Sequence, residues 1–368
     1  MIFGGVFSEL RDRRGARGKR YGLEPLLCAI VLSMLAGANS LRKIEAFIDE
    51  RLGQLNPLLG TNWRKAPSWV GIRGFLLEID ESELESAIRT HADRVASLPA
   101  GRRFIAIDGK ALRGSASRVL DIPARQMVSA FDHDDLIVLG HVEVSDKSNE
   151  IPAAQALIES MGLPGRVFTL DALHCQKKTL AIASAKGADV LVQVKANQPT
   201  LLAACEDLAR HCTPMQCDVQ HDKGHGRIET RAVHTFDLPP NWLPDGWQPL
   251  VRQVVRVSRA VERRKPGGWH TTDETAWWIS TTALSAPVSQ SAIRGHWHVE
   301  NQNHHVRDVT LREDHCRARH KPGVLARLRS MTLNCLRAQQ VRNVAVALHR
   351  NAMNFERARG FAYATRNI

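Results

Sequence analysis

The chain has 368 residues, of which 43% are apolar and 24% charged; this excludes a disordered or low-complexity protein and leaves room for two or three domains with real cores. Lysine and arginine number 50 against 38 acids, a net charge of +12, and such an excess points to a polyanionic partner, nucleic acid being the commonest. The most apolar stretch, Leu26 to Ala38, is shorter than the roughly 20 residues of a membrane span, and seven cysteines with no signal peptide suit a reducing cytoplasm with no membrane partner.

Charge is uneven along the chain. Six basic residues (Arg11, Arg13, Arg14, Arg17, Lys19, Arg20) stand between Ser8 and Arg20 against Glu9 and Asp12, and after Asp314 eleven Lys and Arg face one acid, Glu356. Concentration of this kind favours a binding face over general solubility.

Residues 1–95 read as a helical N-terminal domain that could bind DNA or be a plain bundle. Leu23–Ala36 is an apolar helix closed by Gly37, and Ser40 caps a second helix with Leu41, Ile44, Phe47, Ile48 and Leu52 at helical spacing. Pro67-Ser68 opens a short helix over Trp69–Leu77, and Ser82 with Glu85 has the spacing of a capping box. The texture changes at Pro99-Ala100-Gly101. Arg103–Ile107 is predicted as a strand ending at Asp108, with Gly109 turning the backbone. Gln126–Phe131 and Leu136–Val144 form a hairpin across Asp132-His133-Asp134-Asp135. Helix Ile151–Met161, strand Val167–Leu170, helix Gln176–Ala185 and strand Ala188–Val194 complete an α/β pattern. From Met215 to Thr282 the sequence is strand-like, a β-rich insertion, and helical periodicity returns from Ser289 to about Arg342.

Two acids stand at strand ends: Asp108, and Asp171 after Phe168-Thr169-Leu170. A carboxylate there is held rigidly at the sheet margin, and two on neighbouring strands can share a metal ion. Glu300 lies on the helix starting near Ser289, where His296, Trp297, His304 and Arg307 fall on its face and Ala292, Val299 and Val306 on another. Hard oxygen ligands favour Mg²⁺ or Mn²⁺ over zinc, and two such ions can activate a nucleophile and stabilise a leaving oxygen. Taken alone, each Asp is also a common way to start a loop.

The segments Ile105-Ala106-Ile107-Asp108-Gly109-Lys110-Ala111-Leu112-Arg113-Gly114-Ser115, Lys147-Ser148-Asn149-Glu150-Ile151, Thr169-Leu170-Asp171-Ala172-Leu173-His174-Cys175-Gln176 and Lys195-Ala196-Asn197-Gln198 resemble motifs of DDE-type insertion-sequence transposases of the ISAs group and its H-repeat-associated relatives. So do Gly224-His225-Gly226-Arg227-Ile228-Glu229-Thr230-Arg231 and His296-Trp297-His298-Val299-Glu300-Asn301, with Arg307-Asp308-Val309 and Glu313-Asp314 downstream. The likeness runs from about Phe7 to Arg342. It implies a ribonuclease-H-like mixed sheet with the β-rich insertion between the second and third acids, and Mg²⁺-dependent cleavage and strand transfer (Mn²⁺ as substitute) with Asp108, Asp171 and Glu300 as catalytic metal ligands. It also implies double-stranded DNA as partner, both element ends and target, and a homodimer in the synaptic complex. The organisation expected is a helical domain 1–95, catalytic core 96–200, insertion 201–284, helical completion of the core 285–345 and a basic tail 346–368. Where related families carry Arg four residues before the glutamate and a basic residue seven after it, this chain has His296 and Arg307, with Arg294 nearby; His305 stands where Trp is often found.

Lys110, Arg113 and Lys195 sit beside strand ends and are candidates for phosphate contact, with Arg294, His296 and Arg307. Arg227 and Arg231 alternate along a strand and can grip a backbone from one face. Asn197-Gln198 before Pro199 could cap a helix. Arg327, Arg329 and Arg337 on the last long helix are expected to face DNA, opposite an apolar stripe. Cys212, Cys217, His221 and His225 look superficially like a zinc site, but the gap between the pairs is too short for a zinc finger. Cys175 reads as a buried residue rather than a nucleophile. The competing readings are a nuclease that only hydrolyses and a DNA-binding protein derived from a transposase.

Overall fold

The structure, a computed structural model, describes residues 2–96, 103–117, 119–145, 149–224, 226–266 and 268–363. The Pro99-Ala100-Gly101 boundary, Lys147-Ser148, His225 and the last five residues of the expected tail lie outside the described residues. In chain order the elements are α1 (Leu23–Leu35), α2 (Leu41–Glu50), α3 (Leu52–Leu59), α4 (Trp69–Glu78), α5 (Glu81–Val95), β1 (Arg103–Leu112), β2 (Arg125–Asp132), β3 (Val138–Glu143), α6 (Glu150–Met161), β4 (Arg166–Leu170), α7 (Lys177–Ala185), β5 (Asp189–Val194), α8 (Pro199–His211), β6 (Gln216–Gly224), β7 (Arg227–Asp237), β8 (Gln253–Lys265), β9 (Gly268–Ser280), α9 (Ala286–His296), α10 (Pro322–Ala338), α11 (Val344–Met353) and α12 (Phe355–Ala362). Backbone contacts divide the chain into two units, one of Met1–Ala100, Gly109–Ala153 and Val299–Ile368, the other of Gly101–Asp108 and Ala154–His298.

In the first unit α1 is apolar on all sides, as a central helix must be, and every residue from Leu26 to Leu35 is buried. It packs on α2, α10 and α12. The side chain of Ser40 caps α2 as expected, accepting from the Lys43 N–H. The second helix breaks at Arg51, and Leu52–Leu59 is a separate helix closed by Gly60 at φ 64°. The capping box proposed for Ser82 and Glu85 does not form. Asp80 caps α5 instead, accepting from the Ser82 and Glu83 N–H groups, because an anionic oxygen satisfies two end donors and the helix dipole together. Glu85 turns inward.

Its partner corrects a second expectation. All of α10 is buried, so Arg327, Arg329 and Arg337 do not face solvent. Enclosed cations need internal acceptors. Arg327 donates to Glu85 at 2.8 Å, Glu81 at 3.0 Å and Glu143 at 3.3 Å, Arg329 lies 3.7 Å from Glu313, and Arg337 donates to the Val341 carbonyl and Gln302 Oε1. Part of the basic excess is therefore internal. The described part of the expected tail is not a tail either: it forms α11 and α12, and Leu348, Phe355 and Phe361 join the core that holds α1. The β2–β3 hairpin forms as predicted, its turn closed by Asp132 Oδ1 accepting from the Asp134 and Asp135 N–H groups. The strand order here is β3-β2-β1.

The second unit carries strands in the order β1-β4-β5-β9-β8-β7-β6. β1, β4 and β5 are parallel and read as apolar runs, as strands covered on both faces do. β9 is antiparallel to β5, and β6 to β9 form the long antiparallel meander expected of the insertion. Before it stands α8, the helix that Asn197-Gln198 before Pro199 could cap, occupying the start of the range expected to be β-rich, with Leu201, Cys205 and Leu208 buried at helical spacing. Helix α9 packs on β4, β6 and β7, where Ala292 and Ile293 meet Val167, Val233, Val255, Val257 and Trp278.

Candidate active site

The parallel register of β1 and β4 pairs Arg103 with Arg166 and ends with Ile107 opposite Leu170. Asp108 and Asp171 are the next residue on each strand. Parallel neighbours lie about 4.8 Å apart with paired side chains on the same face, so the register sets the two backbones side by side at one sheet margin. β1 does not turn at Gly109, however; the strand runs on to Leu112. A Cβ at position 109 would meet the Glu150 carboxyl group, the end of a flexible side chain that would have to turn aside.

Asp171 leaves β4 for a short 3₁₀ turn over Ala172–His174, its Oδ1 accepting from the Leu173 N–H at 3.1 Å. Two residues that the sequence suggested only as a helix cap brace this turn. Asn197 Nδ2 donates to the Ala172 carbonyl at 2.7 Å, and Gln198 Nε2 to the Cys175 carbonyl at 2.8 Å; Gln198 makes no capping bond to α8. The signal was in the Lys195-Ala196-Asn197-Gln198 motif, but its partners lie more than twenty residues away. Cys175 is fully buried, and burial pushes its thiol up to about 12, as an inert core residue.

Helix α9 delivers His296 onto β4. Its Nδ1 lies 3.0 Å from the Thr169 hydroxyl, two residues before Asp171, and its ring meets Trp278 edge-on at 6.4 Å. Burial lowers His296 to about 4, so it is a neutral fastener at physiological pH. The expected single helical face beyond it is corrected: regular α-helix stops at His296, and π-helical turns follow over Val299–His304 and Val306–Thr310. The wider turn shifts residues off a 3.6-residue stripe. Glu300, four residues after His296, is exposed, whereas Arg307 is buried.

In the first unit Arg307 donates to Glu313 at 2.8 Å, each side chain only 2% exposed, and Lys110 Nζ lies 2.5 Å from Asp308 and 3.6 Å from Asp314. Arg113 stays exposed, 3.7 Å from Asp314. In the second unit Lys195 is exposed at the end of β5, and Arg294 lies 3.4 Å from Asp222. Arg227, Arg231 and Arg259 converge on Glu229 at 3.5, 2.7 and 2.9 Å. Register places Arg231 opposite Arg259 and Arg227 opposite Arg263, making an arginine face of which sequence reading had found only the β7 half. Hydrogen bonds from Arg259 and Arg231 hold Glu229 down at about 2. The Cys217 thiol lies 3.3 Å from His234 Nε2. Among the described residues no group of three or more His, Cys, Asp and Glu side chains is drawn together as a metal cage, and no helix is long and apolar enough to cross a membrane.

Residues 99–335 match the family described as Transposase DDE domain, and residues 5–92 the region described as DDE_Tnp_1-associated. The chain belongs to the DDE transposase family. It is 30% identical over 340 residues to "Putative transposase YncI" of Escherichia coli O157:H7, a match covering 90% of this chain and 86% of the relative. It is 33% identical over 227 residues to "H repeat-associated putative transposase YhhI" of Escherichia coli K12, covering 58% of each chain, so the match spans less than two thirds of that relative. A piggyBac transposase in a synaptic complex with hairpin DNA aligns with 99% of this chain and 79% of its own at 10% identity and a TM-score of 0.43. For this DDE transposase, the strand orders β3-β2-β1 and β1-β4-β5 agree with the mixed sheet expected of a ribonuclease-H-like core.

Proposed function

We propose that this transposase binds the ends of an insertion sequence as a homodimer and cuts and joins DNA at a centre formed by Asp108, Asp171 and Glu300 with Mg²⁺, Mn²⁺ substituting. The observation that carries this reading is the shared register of β1 and β4, which sets Asp108, within β1, beside Asp171 at the end of β4. The donors fit the ion: carboxylate oxygens suit hard divalent cations, while the Cys175 thiol is buried and His296 is held by Thr169. Glu300, exposed one turn beyond His296, is the third ligand.

Bound there, divalent ions polarise the attacking hydroxyl or water and neutralise charge on the leaving oxygen. The chain supplies the rest. Asp108 and Asp171 would hold those ions, and Asn197 and Gln198 keep the Asp171 turn from relaxing. Lys195, Arg113, Arg227, Arg231, Arg259 and Arg294 hold the duplex by its phosphates, which fixes orientation without reading sequence. Lys110, His296 and Arg307 are engaged by protein partners and reach DNA only if those partners are exchanged.

The test is Asp108→Asn and Asp171→Asn. Each abolishes Mg²⁺-dependent cleavage of DNA carrying the element end while changing duplex affinity no more than a few-fold. Persisting cleavage in either variant refutes the assignment. Joining of a pre-cut end to target DNA by the wild type separates a transposase from a nuclease; absence of both activities with binding intact leaves the DNA-binding reading.

A further inference from the structure

The segment that follows the third acid does not hold itself in place. It is wound as two π-helical stretches, Val299–His304 and Val306–Thr310, and π turns are rare and locally unfavourable. Inside the first stretch Asn303 is fully buried, and neither its Nδ2 nor its Oδ1 finds a hydrogen-bond partner among the described residues. A buried polar group in that state costs stability. The position of the segment must come from ties to other elements.

Three such ties are seen among the described residues of the first unit. Arg337 of α10 donates to Gln302. Arg307 is locked to Glu313, which Arg329 of α10 also faces. Asp308 takes the ammonium of Lys110 at 2.5 Å, in a side-chain environment only 8% exposed at the lysine. The third differs in kind. Lys110 lies on β1, two residues after Asp108, and residues two apart on a strand project from the same face. Asp308 is eight residues after Glu300. The Lys110–Asp308 pair thus joins the strand that bears the first acid to the segment that bears the third, with Asp314 as a second anion 3.6 Å from the same ammonium.

We propose that Lys110 is a positioning residue for the reaction, fastening the Glu300 segment to β1, and not a phosphate contact. The inference rests on the reading that Asp108 and Glu300 act on the same ions. An ammonium committed to two carboxylates and shielded from solvent has little left to offer DNA. Losing it frees Asp308 and lets the π-helical segment move, so Glu300 no longer meets the ions at a fixed place.

The two roles give opposite results in one set of measurements on the full chain. Free Mn²⁺ affinity is read by electron paramagnetic resonance without DNA, duplex affinity is read across a salt series, and cleavage is followed in Mg²⁺. For Lys110→Met we expect Mn²⁺ affinity and cleavage rate to fall about 10–100-fold, as when a group supporting a metal ligand is removed. Duplex affinity and its salt slope stay unchanged. Lys110→Arg, which keeps the charge, restores most of the Mn²⁺ affinity. Asp308→Asn, which keeps the volume, reproduces the loss and serves as the primary variant should Lys110→Met fail to fold by circular dichroism. The proposal is overturned if Lys110→Met leaves Mn²⁺ binding intact and lowers the salt slope by about one, the mark of a lost phosphate contact. It is equally overturned if Lys110→Met and Asp308→Asn change nothing. Asp108→Asn is the control: if it leaves Mn²⁺ binding unaltered, the metal-centre reading itself fails, an outcome distinct from failure of the Lys110 role.

Discussion

Arg327 is the most consequential single side chain in the first unit, and Arg327→Met measures why. Its guanidinium donates to Glu85, Glu81 and Glu143 at 2.8 to 3.3 Å, with the arginine side chain 6% exposed and Glu85 10% exposed. A charged hydrogen bond contributes about 1.5–3 kcal/mol, but Glu81 and Glu143 are partly wet and are discounted accordingly. The main loss is the buried charged hydrogen bond to Glu85, about 1.5–3 kcal/mol, since Glu85 keeps Arg89 Nε at 2.9 Å and its bonds to His141. Burial raises Glu85, yet the His141 and Arg327 contacts outweigh it and hold the carboxyl well below its usual range. A depressed carboxylate stabilises the fold above its unfolded value of about 4.3 and loses that contribution as pH falls. In Arg327→Met the Arg89 and His141 contacts still hold Glu85, but Glu81, which Arg327 pulls down from a raised value, rises further, so the variant weakens as pH climbs. Urea unfolding followed by circular dichroism should give a loss of about 1.5–3 kcal/mol at pH 8 and a smaller one at pH 4.5. A loss below about 1 kcal/mol at pH 8, or an equal loss at both pH values, refutes the argument.

Other perturbations test neighbouring claims. Burial, and then Glu143, raise Glu81 to about 7; a carboxyl raised in the fold costs stability as pH climbs from its unfolded value through 7. Glu81→Gln should therefore match the wild type near pH 4.5 and exceed it by up to about 2 kcal/mol at pH 8, read from the pH dependence of Tm; a pH-independent difference contradicts it. Thr169→Val keeps shape but removes the hydroxyl facing buried His296, so stability falls by about 1–3 kcal/mol and cleavage suffers more than duplex affinity. Equal losses in both would place His296 in DNA contact instead. Arg231→Ala with Arg259→Ala should reduce the salt slope of duplex binding by about two while Mn²⁺ affinity holds; an unchanged slope removes the arginine face from the interface.

Much of the centre was legible because it is local. Phe104–Ile107 and Val167–Leu170 are short apolar runs, and the acids that follow them fall in register on adjacent strands, although β1 runs on past Asp108 where the sequence suggested an end. The hairpin around Asp132 and the meander of the insertion were equally visible, since alternation and turn residues act over a few positions. The failures were non-local. Ser82 has the spacing of a cap, but Asp80 wins through a stronger acceptor. Val299 and Val306 keep a helical repeat through a stretch whose backbone is π-wound, because Arg307, Asp308 and Gln302 are pulled by partners on other elements.

What the sequence determined by itself is the chemistry available: two aspartates following apolar strand runs, a glutamate after α9, oxygen donors suited to a hard cation, and an excess of positive charge. Tertiary structure decided which of those charges remain at the surface. An arginine on α10 and one on β7 look alike in sequence; the first is enclosed by α5 and β3 and spent on Glu85, the second is half-buried beside Arg259 and paired with Glu229. Burial and partner choice depend on which segments meet across hundreds of residues, and side-chain periodicity carries no information about that.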